Sequence, residues 1–201
     1  MIRIERIIGG NLEANCWIPH HGEKSEAFII DPGFLLKQYS AACRRLKLTV
    51  RGVLLTHHHY DHSGRADAVA REFDAPVYMH RGDLPYYKGR VDIVLEGGET
   101  LYLGGEPVRV AHTPGHTPGG VCFVLPESKV AFTGDTIFNV DLGRTDLDGG
   151  SEADMHHSLV SIVDTWANDV TIYPGHGDPA TMKYVRAVNR EFAEMISCAG
   201  G

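Results

Sequence analysis

The chain has 201 residues, of which 43% are hydrophobic and 22% charged, with a formal charge of −7. That length supplies one sizeable core and is short for two independent domains, and the composition is ordinary for a soluble fold. The negative charge argues against a nucleic-acid partner, and no stretch approaches the ~20 apolar residues of a membrane span.

The N-terminal segment alternates charge and isoleucine over Arg3 to Ile8 like an edge strand, and it lacks the apolar core of a secretory signal. Strand candidates follow at Cys16 to Pro19 and Ala27 to Ile30. The turn residues Asp31-Pro32-Gly33 precede a helical stretch near Leu35 to Leu46, and Val53 to Thr56 reads as the next strand. Gly64 to Phe73 has helical spacing, and Pro76 to Met79 is strand-like. Arg81 to Glu99 is polar and glycine-rich, with Tyr86-Tyr87, and reads as a helical turn and loop over the site described below. Four strands are expected at Glu99 to Leu103, Pro107 to Ala111, Val121 to Leu125 and Lys129 to Thr133. Ser151-Glu152-Ala153-Asp154 resembles an N-cap box opening a helix that runs to about Trp166. A last strand, Val170 to Tyr173, leads to a final helix with Asp178 as N-cap and Pro179 in its first turn. Cys16, Cys43, Cys122 and Cys198 are scattered with no CxxC pairing, which indicates neither a zinc knuckle nor a disulfide framework and makes a reducing cytoplasm the expected location.

One run stands apart. Directly after Val53-Leu54-Leu55, the segment Thr56-His57-His58-His59-Tyr60-Asp61-His62 holds four histidines and a carboxylate. Imidazole and carboxylate together bind first-row divalent metals, and ordinary packing does not call for so many titratable groups at the end of a buried segment. On a strand, His57 and His59 project to one side. Asp61 and His62 fall where the chain turns into the next element, so two pairs of ligands are presented at different places. His116 sits in the turn Thr113-Pro114-Gly115-His116-Thr117-Pro118-Gly119-Gly120, Asp135 ends Val130-Ala131-Phe132-Thr133-Gly134-Asp135, and His176 lies in Pro174-Gly175-His176-Gly177-Asp178. Each follows a predicted strand beside glycine. The seven groups are enough for two metals sharing a carboxylate.

The set His57-x-His59-x-Asp61-His62, His116, Asp135 and His176 resembles the metallo-β-lactamase-fold hydrolases, in an order that covers nearly the whole chain. Thr113 to Gly119 and Phe132-Thr133-Gly134-Asp135-Thr136-Ile137-Phe138 look like the glyoxalase II branch, also called hydroxyacylglutathione hydrolase. Gly143-Arg144-Thr145-Asp146 and Pro174 to Thr181 are similar to its compact members. The resemblance implies an α/β fold, an αββα sandwich of two mixed β-sheets flanked by helices. It implies residues 1–201 as a single domain, without the C-terminal helical substrate domain of the larger enzymes, since only about 25 residues follow His176.

It also implies two divalent ions, zinc first with iron or manganese as alternatives. His57, His59 and His116 would hold one, Asp61, His62 and His176 the other, and Asp135 would bridge, with Asp61 and Asp135 as the catalytic carboxylates. The implied activity is hydrolysis of an S-2-hydroxyacylglutathione or related thiol ester by a metal-bridging hydroxide. The expected partner is a small-molecule thioester, with no nucleic acid and no membrane; the oligomeric state stays open. Arg144 lies where family members contact substrate, with an ion pair to Asp146 or Asp141 as the equal alternative. The turn Asn139-Val140-Asp141-Leu142-Gly143-Arg144 is more acidic than its counterpart in the larger enzymes, which leaves the thiol unassigned.

Three other readings stay open: a persulfide dioxygenase with one iron on His57, His116 and Asp135, a lactonase or β-lactamase, and a non-catalytic module. The remaining histidines are expected outside the site. His58 should point away from His57 and His59, His112 reads as a strand-end residue with a satisfied hydrogen bond, and His20-His21, His80 and His156-His157 have no partner at motif spacing. Tyr86 and Tyr184 read as half-buried packing residues.

Overall fold

Short strands, buried along most of their length at Ala14–His20 and Glu26–Ile30, build the first half of the chain into one sheet. The computed structural model describes residues 1–197; Cys198 lies outside the described residues. Strands β1 (Arg3–Gly9), β2 (Ala14–His20) and β3 (Glu26–Ile30) pair antiparallel, and β4 (Thr49–Leu54), β5 (Val77–His80) and β6 (Ile93–Leu95) continue the sheet in parallel. The order is β1-β2-β3-β4-β5-β6. Helix α1 (Leu36–Leu46), the single turn α2 (Tyr60–Ser63) and helix α3 (Ala66–Phe73) connect its parallel strands. Tyr39, Ala42 and Cys43 of α1 and Val69 and Ala70 of α3 bury themselves against Ile18, Ile29, Val53 and Val77.

The second sheet holds β7 (Thr100–Leu103), β8 (Glu106–His112), β9 (Val121–Leu125), β10 (Val130–Gly134), β11 (Thr171–Pro174) and the two-residue edge strand β12 (Ala180–Thr181), in the order β12-β11-β10-β9-β8-β7. Only β10 and β11 run parallel in it. Helices α4 (Glu152–Ser161), α5 (Met182–Val188) and α6 (Arg190–Ser197) cover its outer face through Met155, Leu159, Val185 and Phe192.

The period-two alternation of strands makes the layers. In β3, Ala27 and Ile29 face the helices, while Phe28 and Ile30 meet Phe123, Phe132, Val110 and Leu103 between the sheets. The result is the expected αββα sandwich of two mixed sheets. Residues beyond the carboxyl ends of β3, β4, β8, β10 and β11 gather at one rim, and the site is built there.

Four sequence expectations are corrected in detail. The strand before the histidine run is Thr49–Leu54, so Leu55 and Thr56 already belong to the loop. A short strand, β6, lies inside the segment read as loop; three residues are too few to show a period. Ser151 caps α4 as expected, its Oγ accepting the Asp154 amide at 3.2 Å, but the helix ends at Ser161 and a 3-10 turn spans Val163–Thr165. The final helix does not start at Asp178. That carboxylate pairs with Arg6 at 2.6 Å, Ala180–Thr181 join the sheet edge, and Thr181 caps α5 by accepting the Tyr184 amide. Asn189 then separates α5 from α6. Its side-chain amide donates to the carbonyls of Phe138 (3.2 Å) and Asp141 (2.8 Å), so the break anchors a loop that borders the site.

Candidate metal centre

The histidine run can fold over the rim because of what lies beneath it. A Cβ added to Gly33 would stand 1.6 Å from the Asp61 carbonyl oxygen, so only glycine lets the Asp31–Gly33 turn meet α2 so closely. Asp31, buried at the end of β3, accepts the Thr56 amide at 2.8 Å and the Thr56 hydroxyl at 2.6 Å. On the other side Asp83, fully buried, accepts from the amides of His58 (2.8 Å) and Gly119 (2.6 Å) and from the Thr117 hydroxyl (3.0 Å). One carboxylate thus ties the loop of His57–His62 to the loop of His116.

All seven sequence-predicted groups converge. His57, His59 and His116 form one group and Asp61, His62 and His176 another, each with donor atoms within 4.8 Å of one another. His59 Nδ1 and His116 Nε2 face each other at 2.9 Å, and His62 Nε2 and His176 Nε2 at 3.1 Å. Asp135 lies between the groups. Its Oδ1 is 3.5 Å from His62 Nε2, and its Oδ2 is 3.5 Å from His116 Nε2 and 3.6 Å from His176 Nε2. Asp61 Oδ2 is 3.3 Å from His176 Nε2 and 3.4 Å from His62 Nε2.

Proton accounting shows what these atoms offer. A backbone carbonyl can only accept, so His116 Nδ1 donates to the Arg144 carbonyl (2.7 Å) and His176 Nδ1 donates to the Leu12 carbonyl (2.9 Å). The single hydroxyl hydrogen of Thr56 goes to Asp31, so Thr56 Oγ1 accepts from His57 Nδ1 at 3.0 Å. His62 Nδ1 faces Asp31 Oδ2 at 3.3 Å. With Nδ1 engaged behind, His116 and His176 turn Nε2 toward Asp135, as metal-ligating histidines do, while His59 presents Nδ1 to the same space. His57 Nε2 and Asp135 Oδ1 are buried with no hydrogen-bond partner, a costly state that a bound cation would relieve. The donor set fits metal.

The electrostatics agree. Burial, reinforced by His62 and His116, holds His57 well below the usual imidazole range, and burial with His116 and His58 pushes His59 down to about 4. These rings are neutral at pH 7, ready as ligands. Burial acts against charge on His62 and His176 too, but Asp135, Asp31 and Asp61 outweigh it at His62, and Asp61 and Asp135 at His176, so both rings are raised. Asp61 is opposed by burial and still lies well below the usual carboxylate range, because His176 and His62 face it. The carboxylates create a place for positive charge.

The other predicted residues fall as follows. Arg144 is exposed at the rim and pairs bidentately with Asp146, Nε to Oδ1 at 2.6 Å and Nη2 to Oδ2 at 2.8 Å, and it also lines the cleft above the metal groups. His58 points away, stacks on Tyr86 and stands 3.1 Å from Asp83 Oδ2. His112 Nε2 bonds the Pro118 carbonyl at 3.0 Å and its ring stacks on His80. His20, His21, His156 and His157 stay outside the metal groups, and Tyr184 is exposed.

Sequence reasoning missed Asp31 and Asp83, which hold the ligand loops, and Leu12 and Asn15. Asn15 Nδ2 donates to the carbonyls of Pro174 and Gly177 at 2.9 Å each, fixing the His176 loop. Asp31 had a signal, a carboxylate directly after a strand like Asp135; the others had none.

A family model for the metallo-beta-lactamase superfamily matches residues 9–176. The chain belongs to the metallo-β-lactamase superfamily. It is 34% identical to a probable polyketide biosynthesis zinc-dependent hydrolase, PksB, of Bacillus subtilis over 163 residues, which cover 80% of this chain and 72% of that protein. It is also 34% identical to a probable hydroxyacylglutathione hydrolase of Schizosaccharomyces pombe, across 77% of this chain and 60% of the longer relative. Among solved structures, the BLEG-1 B3 metallo-beta-lactamase superposes with a TM-score of 0.89 at 28% identity, covering 94% of this chain and 99% of that one. TTHA1623 in a di-iron-bound form gives 0.81 at 29% identity, covering 92% and 98%. This metallo-β-lactamase-superfamily chain is a metal-dependent hydrolase, with His/Asp clusters that fit a metal site.

Above the clusters opens a cleft of about 710 Å³, bordered by the β1–β2 turn at Leu12, by Tyr60, by the loop Phe138–Arg144 and by Leu147. No helix among the described residues is long and apolar enough to cross a membrane.

Proposed function

We propose that this hydrolase is a dinuclear thioesterase acting on a small-molecule thiol ester. The observation that carries the reading is the position of Asp135, one carboxylate within 3.6 Å of histidines from both groups. A site for a single ion would leave Asp61, His62 and His176 converging for no purpose. His57, His59 and His116 would hold one ion, Asp61, His62 and His176 the other, and Asp135 would be shared. Zinc is the proposed ion, supported by the PksB relative; the di-iron form of TTHA1623 names the alternative.

When bound, a pair of divalent ions supplies an acidified water and a Lewis-acid contact for a carbonyl oxygen. The chain's residues supply the rest. The cleft confines the ester over the clusters, and the Leu12 and Arg144 carbonyls fix the orientation of His176 and His116. Asp61 and Asp135 set the negative charge that the cations balance. No serine or cysteine nucleophile is required: Cys122 sits behind the site, bonded to Thr113 at 3.4 Å, and is buried. A thiolate is a good leaving group for such a centre, and the hydroxyacylglutathione hydrolase relative supports that choice.

The test is thiol release from S-lactoylglutathione and from simple acyl thioesters by metal-replete protein. Release that stops on chelation and returns with zinc is the expected result. Absence of release from every thioester, with hydrolysis of a lactone or β-lactam in its place, would overturn it.

A further inference from the structure

Exposed apolar side chains are ordinary when scattered, and informative when they gather round one opening. Of the large exposed hydrophobic residues among those described, Leu12 (67%), Tyr60 (65%), Val140 (50%) and Leu147 (39%) all border the cleft over the metal groups. Phe138 joins them, its ring edge-on to His176 with centroids 6.0 Å apart. These residues come from separate parts of the chain: the β1–β2 turn, α2 and the loop after β10. The wall they form is continuous with the floor where chemistry would occur.

The charges of the cleft point the same way. Its acids are Asp61, Asp135 and Asp141, and Arg144 is the one lysine or arginine among its lining residues. Asp61 and Asp135 belong to the metal groups. Arg144 is already matched by Asp146 through two hydrogen bonds. Next to Asp141, Glu191 accepts the Leu142 amide at 3.0 Å and adds another carboxylate. Lys88 lines a different cavity of about 410 Å³, on the His58 side, together with Asp67. A net-anionic thiol such as glutathione finds no unpaired lysine or arginine among the residues that line the cleft.

We infer that the substrate is a thioester of an uncharged, apolar acyl chain, carried on a thiol that lacks glutathione's net negative charge. Leu12, Tyr60, Phe138, Val140 and Leu147 receive the chain. The inference rests on the thioesterase reading and names its substrate class. The bond broken is acyl carbon to sulfur; water supplies the hydroxyl of the acid and the proton of the released thiol.

The test is a matched panel, the acetyl and octanoyl thioesters of N-acetylcysteamine and of glutathione, assayed on metal-replete protein. A second arm measures calorimetric binding of non-hydrolysable ketone analogues, in which CH₂ replaces the thioester sulfur. A partly buried chain is expected to raise kcat/KM for octanoyl over acetyl by about tenfold or more on the neutral thiol. That ratio should fall toward one in the double variant Val140→Asn, Leu147→Asn, whose exposed positions do not burden folding. A ratio near one in the unaltered protein overturns the inference, as does faster turnover of the glutathione esters. If no thioester is hydrolysed at all, the thioesterase reading fails. The binding arm then judges the apolar wall by itself: tighter binding of the octanoyl than the acetyl ketone retains it, and equal or absent binding removes it.

Discussion

Asp83 accepts the Gly119 amide at 2.6 Å, a bond that joins the turn after β5 of one sheet to the His116 loop of the other, 36 residues further along the chain. The same carboxylate holds the His58 amide and the Thr117 hydroxyl, so the spacing of His57 and His59 from His116 depends on it. Replacing it leaves buried donors without a partner. Asp83→Ala is expected to lower stability by about 3 kcal/mol, and Asp83→Asn, which keeps an acceptor oxygen, by less. Urea unfolding at constant m value measures both; an unchanged midpoint for the alanine variant would count against this role.

Asp31 acts on the other side. It receives the Thr56 hydroxyl, which makes Thr56 an acceptor for His57, and it faces His62 Nδ1. Asp31→Asn should therefore weaken metal binding by about 10- to 100-fold without removing a ligand. Competition with a chromophoric chelator gives the affinity, and an unaltered value would show that the relay does not orient these rings.

The candidate ligands were legible in the sequence because they are histidines and aspartates in the segments that follow strands, in a run such as Thr56–His62 or a glycine-rich turn such as Thr113–Gly120. The sandwich was legible through short apolar runs such as Val121–Leu125, whose length and flanking turn residues mark a strand covered on both faces. The scaffolding around the ligands was not. The Leu12 carbonyl that holds His176 is 164 residues away in sequence, and any residue type presents the same carbonyl. Asp178 has the composition of a helix cap and was read as one, but Arg6 claims it across 172 residues. Local patterns report local structure, and these contacts are tertiary.

Arg144 contributes its backbone to the site and its side chain to Asp146. Arg144→Ala keeps the carbonyl that accepts from His116. It should leave metal content unchanged and alter kcat/KM for a neutral thioester by less than about threefold, as expected for an exposed ion pair. A large rise in KM confined to glutathione esters would instead make the guanidinium a substrate contact.

The thiols should be inert in the folded protein. Burial pushes Cys43 and Cys122 up to about 11 and Cys16 well above its usual range. At pH 8 only about one part in a thousand of such a thiol is thiolate. In a Cys198→Ser variant, an aromatic disulfide reagent should react with no thiol within minutes and with three after denaturation. Rapid release from the native protein would contradict the burial of these side chains.

The most direct test of the two-ion account is metal analysis of protein purified without added metal, with thiol release and oxygen uptake followed on the same sample. About two ions per chain, with thiol released from a thioester, is the predicted result. One iron per chain, with oxygen consumed on glutathione persulfide and no thiol released from any thioester, would contradict it.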